Sequence, residues 1–469
     1  MAIESRSIDY ISEHERHGRV IDQGPFWFLG NFHFFTIAIG FVGPSMGLSF
    51  GYTALAGTLG ILFGTLFVAF HASQGPELGL PQMIQSRAQF GYRGVVLVLI
   101  GTLFTFIGFN VADSVLAAHG LNGILGWNER LVSIVAALAA ALLAVYGHDW
   151  LHRIFRWCFL LCMPLYTLLT LAILLGVVPA PHLAAGRFGW VAFVGEFAAS
   201  ASYNITYAPS VSDYSRYLPR HTRPPAIIAA VFIGASSSAI WLITLGAWLA
   251  TRLGASDGLV ALHDAGNAVF AGFGVLMSLA SVVALVASMG LNAYSGMLTV
   301  VTALSSLFEL RPSARIRVVT ILALAAAWVA LALAISANAI ALLFAVLTIM
   351  LYLLAPWTSV NLVDYFFVRR GHYAITHLFM PQGIYGTWGS RGLTAYLLGF
   401  LATLPFVVLP DLYTGPAARA LGGVDIGWLV GLLVSAAVYL WLSRAFVPAH
   451  EAQAIRDSEQ TLRDLSGAR

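Results

Sequence analysis

Gly40-Phe41-Val42-Gly43-Pro44 and Thr206-Tyr207-Ala208-Pro209-Ser210 each set helix-breaking residues near the middle of an otherwise apolar, membrane-length segment. A break at that depth leaves backbone amides and carbonyls without helical partners inside hydrocarbon. Such groups are sustained only where they line a cavity and bind something. The two stretches hold corresponding places in two halves of one chain, which predicts an inverted repeat with a binding site between the breaks.

The rest of the sequence agrees. Hydrophobic residues make up 59% of the 469 residues, charged residues 10%, and mean hydropathy is +0.82. That balance excludes a water-soluble globular domain and predicts an all-α polytopic membrane protein. About a dozen spans of ~20 residues fit the length. They are expected near 26–50, 52–72, 94–118, 130–147, 156–178, 190–211, 226–249, 270–300, 316–335, 338–355, 392–410 and 424–446. The first ten divide into two sets of five with helices 1 and 6 broken, an arrangement similar to the leucine-transporter fold, and helices 11 and 12 fall outside the repeat.

All 24 basic residues are arginines. With the N-terminus inside, every one except Arg130, Arg187, Arg252 and Arg419 falls in a cytoplasmic segment. This asymmetry predicts both termini in the cytoplasm, with the chain integral to the plasma (inner) membrane. The formal charge of +3 then reflects topology and not a nucleic-acid partner. The expected organisation is a cytoplasmic segment at 1–25, the ten-helix core at 26–355, a cytoplasmic interfacial loop at 356–391 rich in aromatics and arginines, helices 11 and 12 at 392–446, and a solvated tail at 447–469. Glu4, Asp9, Glu13 and Glu15 with no early apolar run argue against a signal peptide. Cys158 and Cys162, at i and i+4, read as small apolar packing residues.

On helix 3, Phe106 and Asn110 share a face and offer stacking beside a two-way hydrogen-bonding amide, as a flat heterocycle requires. Asp113, one turn further, is the candidate proton-coupling carboxylate. Helix 8 carries Ser288 and Asn292, again i and i+4; Ser288 suits a hard cation together with carbonyls freed in helix 1 around Ala38 and Phe41. Tyr203, Asn204 and Tyr207 precede the helix 6 break, and amides near Gly43 are free to read a ligand edge. Each of these has a packing alternative, because polar side chains also join membrane helices. His33 and His71 read as structural, Glu196 as solvated near the outer interface, and Asp213 with Arg216 as a cytoplasmic loop staple.

Several motifs carry a family resemblance. They are Trp27-Phe28-Leu29-Gly30-Asn31 with Gly43-Pro44-Ser45-Met46-Gly47-Leu48-Ser49; Gly75-Pro76-Glu77-Leu78-Gly79-Leu80-Pro81-Gln82; Tyr207-Ala208-Pro209 through Asp213-Tyr214-Ser215-Arg216-Tyr217-Leu218-Pro219; Asn292-Ala293-Tyr294-Ser295; and Asn361-Leu362-Val363-Asp364-Tyr365-Phe366. With these the chain resembles the nucleobase/cation symporter family, in its purine and cytosine permease branch. The resemblance implies alternating access and symport of a planar nitrogenous ring with Na⁺ or H⁺, with no other cofactor. It also implies ring contacts at Phe106 and Asn110, a stacking group near Tyr203 or Asn204, and a hydrogen-bonding amide at Asn292. Two departures stand out: Phe106 replaces a tryptophan common in relatives, and helix 8 offers little besides Ser288 as a cation-binding hydroxyl.

The same fold with allantoin, a hydantoin or a vitamin ring such as pyridoxine as cargo is the alternative. A membrane enzyme is disfavoured because no nucleophile, base and metal-ligand cluster occurs in the loops, and a channel because no repeated charge ring or carbonyl filter occurs.

Overall fold

The computed structural model describes residues 7–181, 186–310, 313–335, 339–409 and 412–467. Arg6, Arg311 and Arg469 of the arginine pattern lie outside them. Among the described residues, eight helices are long and apolar enough to cross a membrane, or nine when one bent pair counts as a single span. Helix 1 is that pair, Val20–Gly30 and Phe34–Ser45, bent by 56°. Helices 2 to 5 run over Phe50–Ala72, Val95–Leu125, Glu129–Tyr146 and His148–Leu174. Helix 6 is split into Trp190–Ile205 and Ala208–Ser215. Helices 7 to 10 follow at Pro224–Arg252, Phe273–Leu307, Ala314–Ala334 and Ala339–Val363. Shorter helices at Ser390–Thr403 and Gly427–Ser443 occupy the places expected for helices 11 and 12.

Small residues hold helices 1, 2, 6 and 7 together. A Cβ on Gly60 or Gly64 of helix 2 would strike the carbonyls of Phe197 and Ala201 on helix 6. A Cβ on Gly246 of helix 7 would strike the Ile37 carbonyl of helix 1, and one on Gly40 would strike the Ile243 carbonyl in return. Lipid supplies no hydrophobic drive between helices, so close backbone approach of this kind is what joins them. Gly246→Val is therefore expected to cost about 1–3 kcal/mol by overpacking. Purified protein should show a lowered thermal unfolding midpoint, whereas Gly51→Ala, where nothing lies within 4 Å, should leave it unchanged.

The helix 6 break falls at Thr206 and Tyr207, inside the predicted stretch, with Pro209 following in the first turn, where its missing N–H costs nothing. The principal break of helix 1 does not fall at Gly40–Pro44. It lies ten residues earlier, at Asn31–His33, where His33 is extended at φ −149° and ψ 169°. Gly43 and Pro44 instead belong to a short helical turn, Val42–Ser45, whose first amides lack intrahelical partners in any case. Side chains compensate the true break. Thr36 Oγ1 donates to the Asn31 carbonyl at 2.5 Å, His33 Nε2 lies 3.1 Å from the Gly30 carbonyl, and Asn31 Nδ2 donates to the Ala235 carbonyl at 2.8 Å.

The segment from 356 also differs from expectation. Helix 10 continues through Pro356 to Val363 and into a π-turn at Asp364–Val368, so the loop begins later. Trp357 is fully buried, stacked on His71 with ring centroids 4.8 Å apart, and donates to Ser86 Oγ at 3.1 Å. A proline in a helix surrounded by protein is tolerated because neighbours satisfy what it frees. The tail is not merely solvated. Its helix, Ala452–Gly467, docks on Ile375–Phe379, with Ser458 Oγ accepting the Thr376 amide at 3.0 Å and Glu459 pairing with Arg220 at 3.3 Å.

Candidate functional site

The two broken helices meet at a nearly closed space of about 10 Å³, room for about one water, lined by His33, Phe35, Phe109, Asp113, Tyr203, Thr206, Tyr207, Ser288 and Asn292. All nine side chains are buried, so the arrangement is occluded from both faces. Four roomier recesses, of about 370, 450, 500 and 70 Å³, lie elsewhere; neither broken helix contributes to the three large ones, and the smallest, an apolar one, takes Val191, Gly195 and Ala198 from helix 6. The small enclosed cavity has the position and the chemistry of a ligand site.

Its walls are aromatic. Phe35 and Tyr203 stack at 5.6 Å with planes 21° apart, Phe109 leans on both at 5.4 and 6.1 Å, and Tyr207 meets Tyr203 edge-on at 6.1 Å. Polar groups are few and directional. Asp113 comes from helix 3, Asn292 and Ser288 from helix 8, and His33 from the helix 1 break. His33 Nδ1 is buried without a hydrogen-bond partner among the described residues. A ring nitrogen left bare on a cavity wall is open to a water or a ligand.

Helix 3 turns a different register toward this space than the spacing predicted. Phe109 and Asp113, also four residues apart, line it; Phe106 does not, and packs near Gly296 of helix 8. Asn110 stands behind the wall. Its Nδ2 donates to the Met289 carbonyl at 3.2 Å and its Oδ1 accepts from Asn292 Nδ2 at 3.0 Å, which orients Asn292 toward the cavity. Tyr203 lines the cavity with its hydroxyl 2.7 Å from Thr36 Oγ1. Asn204 is turned away, donating to Thr65 Oγ1 at 2.6 Å and accepting from Asn31 Nδ2 at 3.0 Å.

The helix 1 carbonyls also redistribute. Those of Ala38 and Phe41 accept amides of their own helix, from Phe41 at 3.2 Å and Ser45 at 3.0 Å. The carbonyl that meets Ser288 is that of Gly30, which accepts from Ser288 Oγ at 3.4 Å and from the Tyr207 hydroxyl at 2.6 Å. The Gly43 amide is taken by Glu196 Oε2 at 2.7 Å.

Glu196 corrects a sequence expectation. It is fully buried and not solvated, with Ser200 Oγ donating to its other oxygen at 3.0 Å and Thr53 and Gly57 of helix 2 close by. It fastens the second half of helix 1, Phe34–Ser45, to helix 6. His71 does not line the cavity; its Nε2 lies 2.7 Å from Thr358 Oγ1. His33 and Phe35 were missed as cavity residues because the break was placed too late; the signal was Asn31 and His33 themselves, two polar residues in a helix that cannot leave them unpaired. On the arginine-rich face, Asp213 accepts the Gln82 amide at 3.0 Å and Arg216 donates to the Ser7 carbonyl at 2.8 Å and the Tyr294 hydroxyl at 3.2 Å, a loop staple.

A helical membrane protein with two broken helices around an occluded, mostly aromatic cavity belongs to the class of secondary transporters built on the leucine-transporter fold. Residues 10–431 match the family described as permeases for cytosine/purines, uracil, thiamine and allantoin, and the chain is a member of that family. It is 33% identical to YxlA of Bacillus subtilis, provisionally named a purine-cytosine permease, over 95% of this chain and 96% of that one. It is 24% identical to the purine-cytosine permease fcyB of Emericella nidulans, over 94% and 88% of the two chains. Among solved structures, Mhp1, a nucleobase-cation-symport-1 family transporter in a closed conformation with bromovinylhydantoin bound, superposes with a TM-score of 0.73 at 16% identity, over 98% of this chain and 97% of that one.

Proposed function

We propose that this chain is a secondary active importer of a purine base or cytosine, driven by cation symport through alternating access, with both termini in the cytoplasm. The observation that carries the reading is the enclosed cavity at the junction of the two breaks, with aromatic faces and a carboxyl, an amide and an imidazole on its rim. A nucleobase presents two π-faces and an edge of ring nitrogens, carbonyls and exocyclic amines, which these groups match. Phe35, Phe109, Tyr203 and Tyr207 enclose the ring. Asn292, held by Asn110, and Asp113 read its edge, and His33 Nδ1 takes a further contact. In this reading Phe106 and Asn204 support the wall.

The coupling ion is H⁺ in this proposal. A sodium ion asks for five or six oxygens, and here Ser288 stands with a Gly30 carbonyl that already accepts the Tyr207 hydroxyl. Asp113 offers a proton carrier at the cavity itself, and an unpaired charge at that depth costs at least about 2.5 kcal/mol, which ties its protonation to ligand arrival.

The test is uptake of labelled hypoxanthine and cytosine into cells expressing the chain, with adenine, guanine, uracil, allantoin and pyridoxine as competitors, across pH and with and without sodium. Saturable, sodium-independent uptake that rises with the inward proton gradient supports the reading. Uptake of neither base by folded protein in the membrane moves the cargo to allantoin, a hydantoin or pyridoxine. Asp113→Asn is expected to abolish concentrative uptake while retaining base exchange across the membrane. Unchanged concentrative uptake would remove Asp113 from the coupling role.

A further inference from the structure

At the arginine-rich face, away from the cavity, three side chains converge from two parts of the chain. His17 lies in the N-terminal segment, and His148 and Asp149 begin helix 5. One ligand atom from each lies within 4.8 Å of the others. Asp149 Oδ1 is 3.0 Å from His148 Nδ1 and 3.4 Å from His17 Nε2.

The other nitrogen of His17 decides what the cluster can hold. Nδ1 is 2.8 Å from the Glu15 carbonyl, which only accepts, so Nδ1 carries the proton. In the neutral ring Nε2 is then a bare lone pair aimed at a carboxylate oxygen, which is unfavourable unless a cation lies between them. Donation of the second ring N–H to a backbone carbonyl is also the arrangement that orients histidine as a metal ligand. The spacings suit this. Tetrahedral ligands at 2.0–2.1 Å from zinc stand about 3.3–3.4 Å apart; here two spacings are 3.0 and 3.4 Å and the third is within 4.8 Å, so small side-chain rotations bring the three onto one ion. Two imidazoles and one carboxylate, partly exposed, leave a fourth position for water.

We propose that His17, His148 and Asp149 form a binding site for one divalent ion of the zinc and nickel class, and that its occupation holds the N-terminal segment closed over the inner ends of helices 5 and 6. The second half rests on the permease reading; the first does not. The His17 and Gly18 amides both donate to the Tyr217 carbonyl just beyond helix 6, at 3.0 and 3.1 Å, and the Tyr217 ring lies 4.1 Å from that of His148. An ion joining His17 to helix 5 therefore adds a further tie, beside those of Tyr217 and Arg216, across a seam that must part for release on this face.

The test uses tag-free full-length protein purified in detergent, equilibrated with chelator-buffered Zn²⁺ and separately with Ni²⁺. Bound metal per chain and the thermal unfolding midpoint are measured for the native protein, His17→Ala, Asp149→Asn and, as a control, His450→Ala, an exposed histidine elsewhere. One ion per chain, a raised midpoint, and affinity at least about tenfold weaker in both site variants but not in the control is the expected result. No saturable binding, or binding indifferent to both site variants, overturns the site. A pH-dependent midpoint that His17→Ala removes, with no metal bound, would assign the cation between the two groups as a proton and overturn it equally. In proteoliposomes, zinc on the arginine-rich side should arrest transport by native protein and spare His17→Ala. If zinc binds through these residues and transport continues unchanged, the gating half fails alone.

Discussion

Asn292→Ala is expected to lower kcat/KM for base uptake by about 100-fold or more while the protein remains folded and in the membrane. A site that hydrogen-bonds its ligand through a buried amide loses far more than one methylene's worth of affinity when that amide is removed. Asn292 lines the cavity, and its Nδ2 is the donor that Asn110 Oδ1 accepts. Truncation leaves that acceptor unpaired behind the aromatic wall, while Asn110 Nδ2 keeps the Met289 carbonyl. The structural cost is then that of one buried unpaired acceptor, about 1–3 kcal/mol, which folded protein can absorb. Uptake in proteoliposomes together with gel-filtration profile and thermal midpoint separates the structural cost from the functional one. Normal uptake would place the ligand elsewhere, and a collapsed elution profile would make Asn292 a packing residue.

Glu196→Ala should do the opposite, removing folded protein before any transport can be measured. The substitution strips the acceptors from the Gly43 amide and Ser200 Oγ inside a fully buried junction of helices 1, 2 and 6. Each buried donor left unpaired costs about 1–3 kcal/mol, so the pair amounts to about 2–6 kcal/mol, comparable with the whole stability of many proteins. Glu196→Gln keeps an oxygen for the Gly43 amide and should retain most of the folded population. Yield of monodisperse protein and unfolding midpoint read this directly, and a stable Glu196→Ala would mean that helix 1 is held by its other contacts, the glycine approach to helix 7 and the bonds of Asn31, Thr36 and Gly30.

The pairing of broken helices, the membrane class and the involvement of helix 8 were legible because they rest on composition and on hydrophobic stretches interrupted by special residues. The helix 6 break fell where Thr206 to Ser210 indicated. Helix 1 misled because Gly43 and Pro44 satisfy the same local description as a break, yet a proline in the first turn of a helical segment disrupts nothing. Gly30-Asn31-Phe32-His33 contains no proline and looks less disruptive, but its polar side chains supply the bonds that the opened backbone needs, from partners at Ala235 and Asn204 that lie far along the chain. On helix 3 two aromatic–polar pairs at i and i+4 overlap, Phe106 with Asn110 and Phe109 with Asp113, and spacing cannot rank them.

By itself the sequence determined that this chain is a bundle of apolar helices, which two of them are interrupted, and which polar residue types lie at mid-membrane, because the cost of unpaired polar groups in hydrocarbon acts residue by residue. Only the tertiary structure decided the rotation of helix 3, the partner of Glu196, and which freed carbonyl meets Ser288. Those depend on how helices 1, 2, 6 and 7 close on one another through their glycines, and a contact between residues more than a hundred positions apart leaves no mark on the spacing around either one.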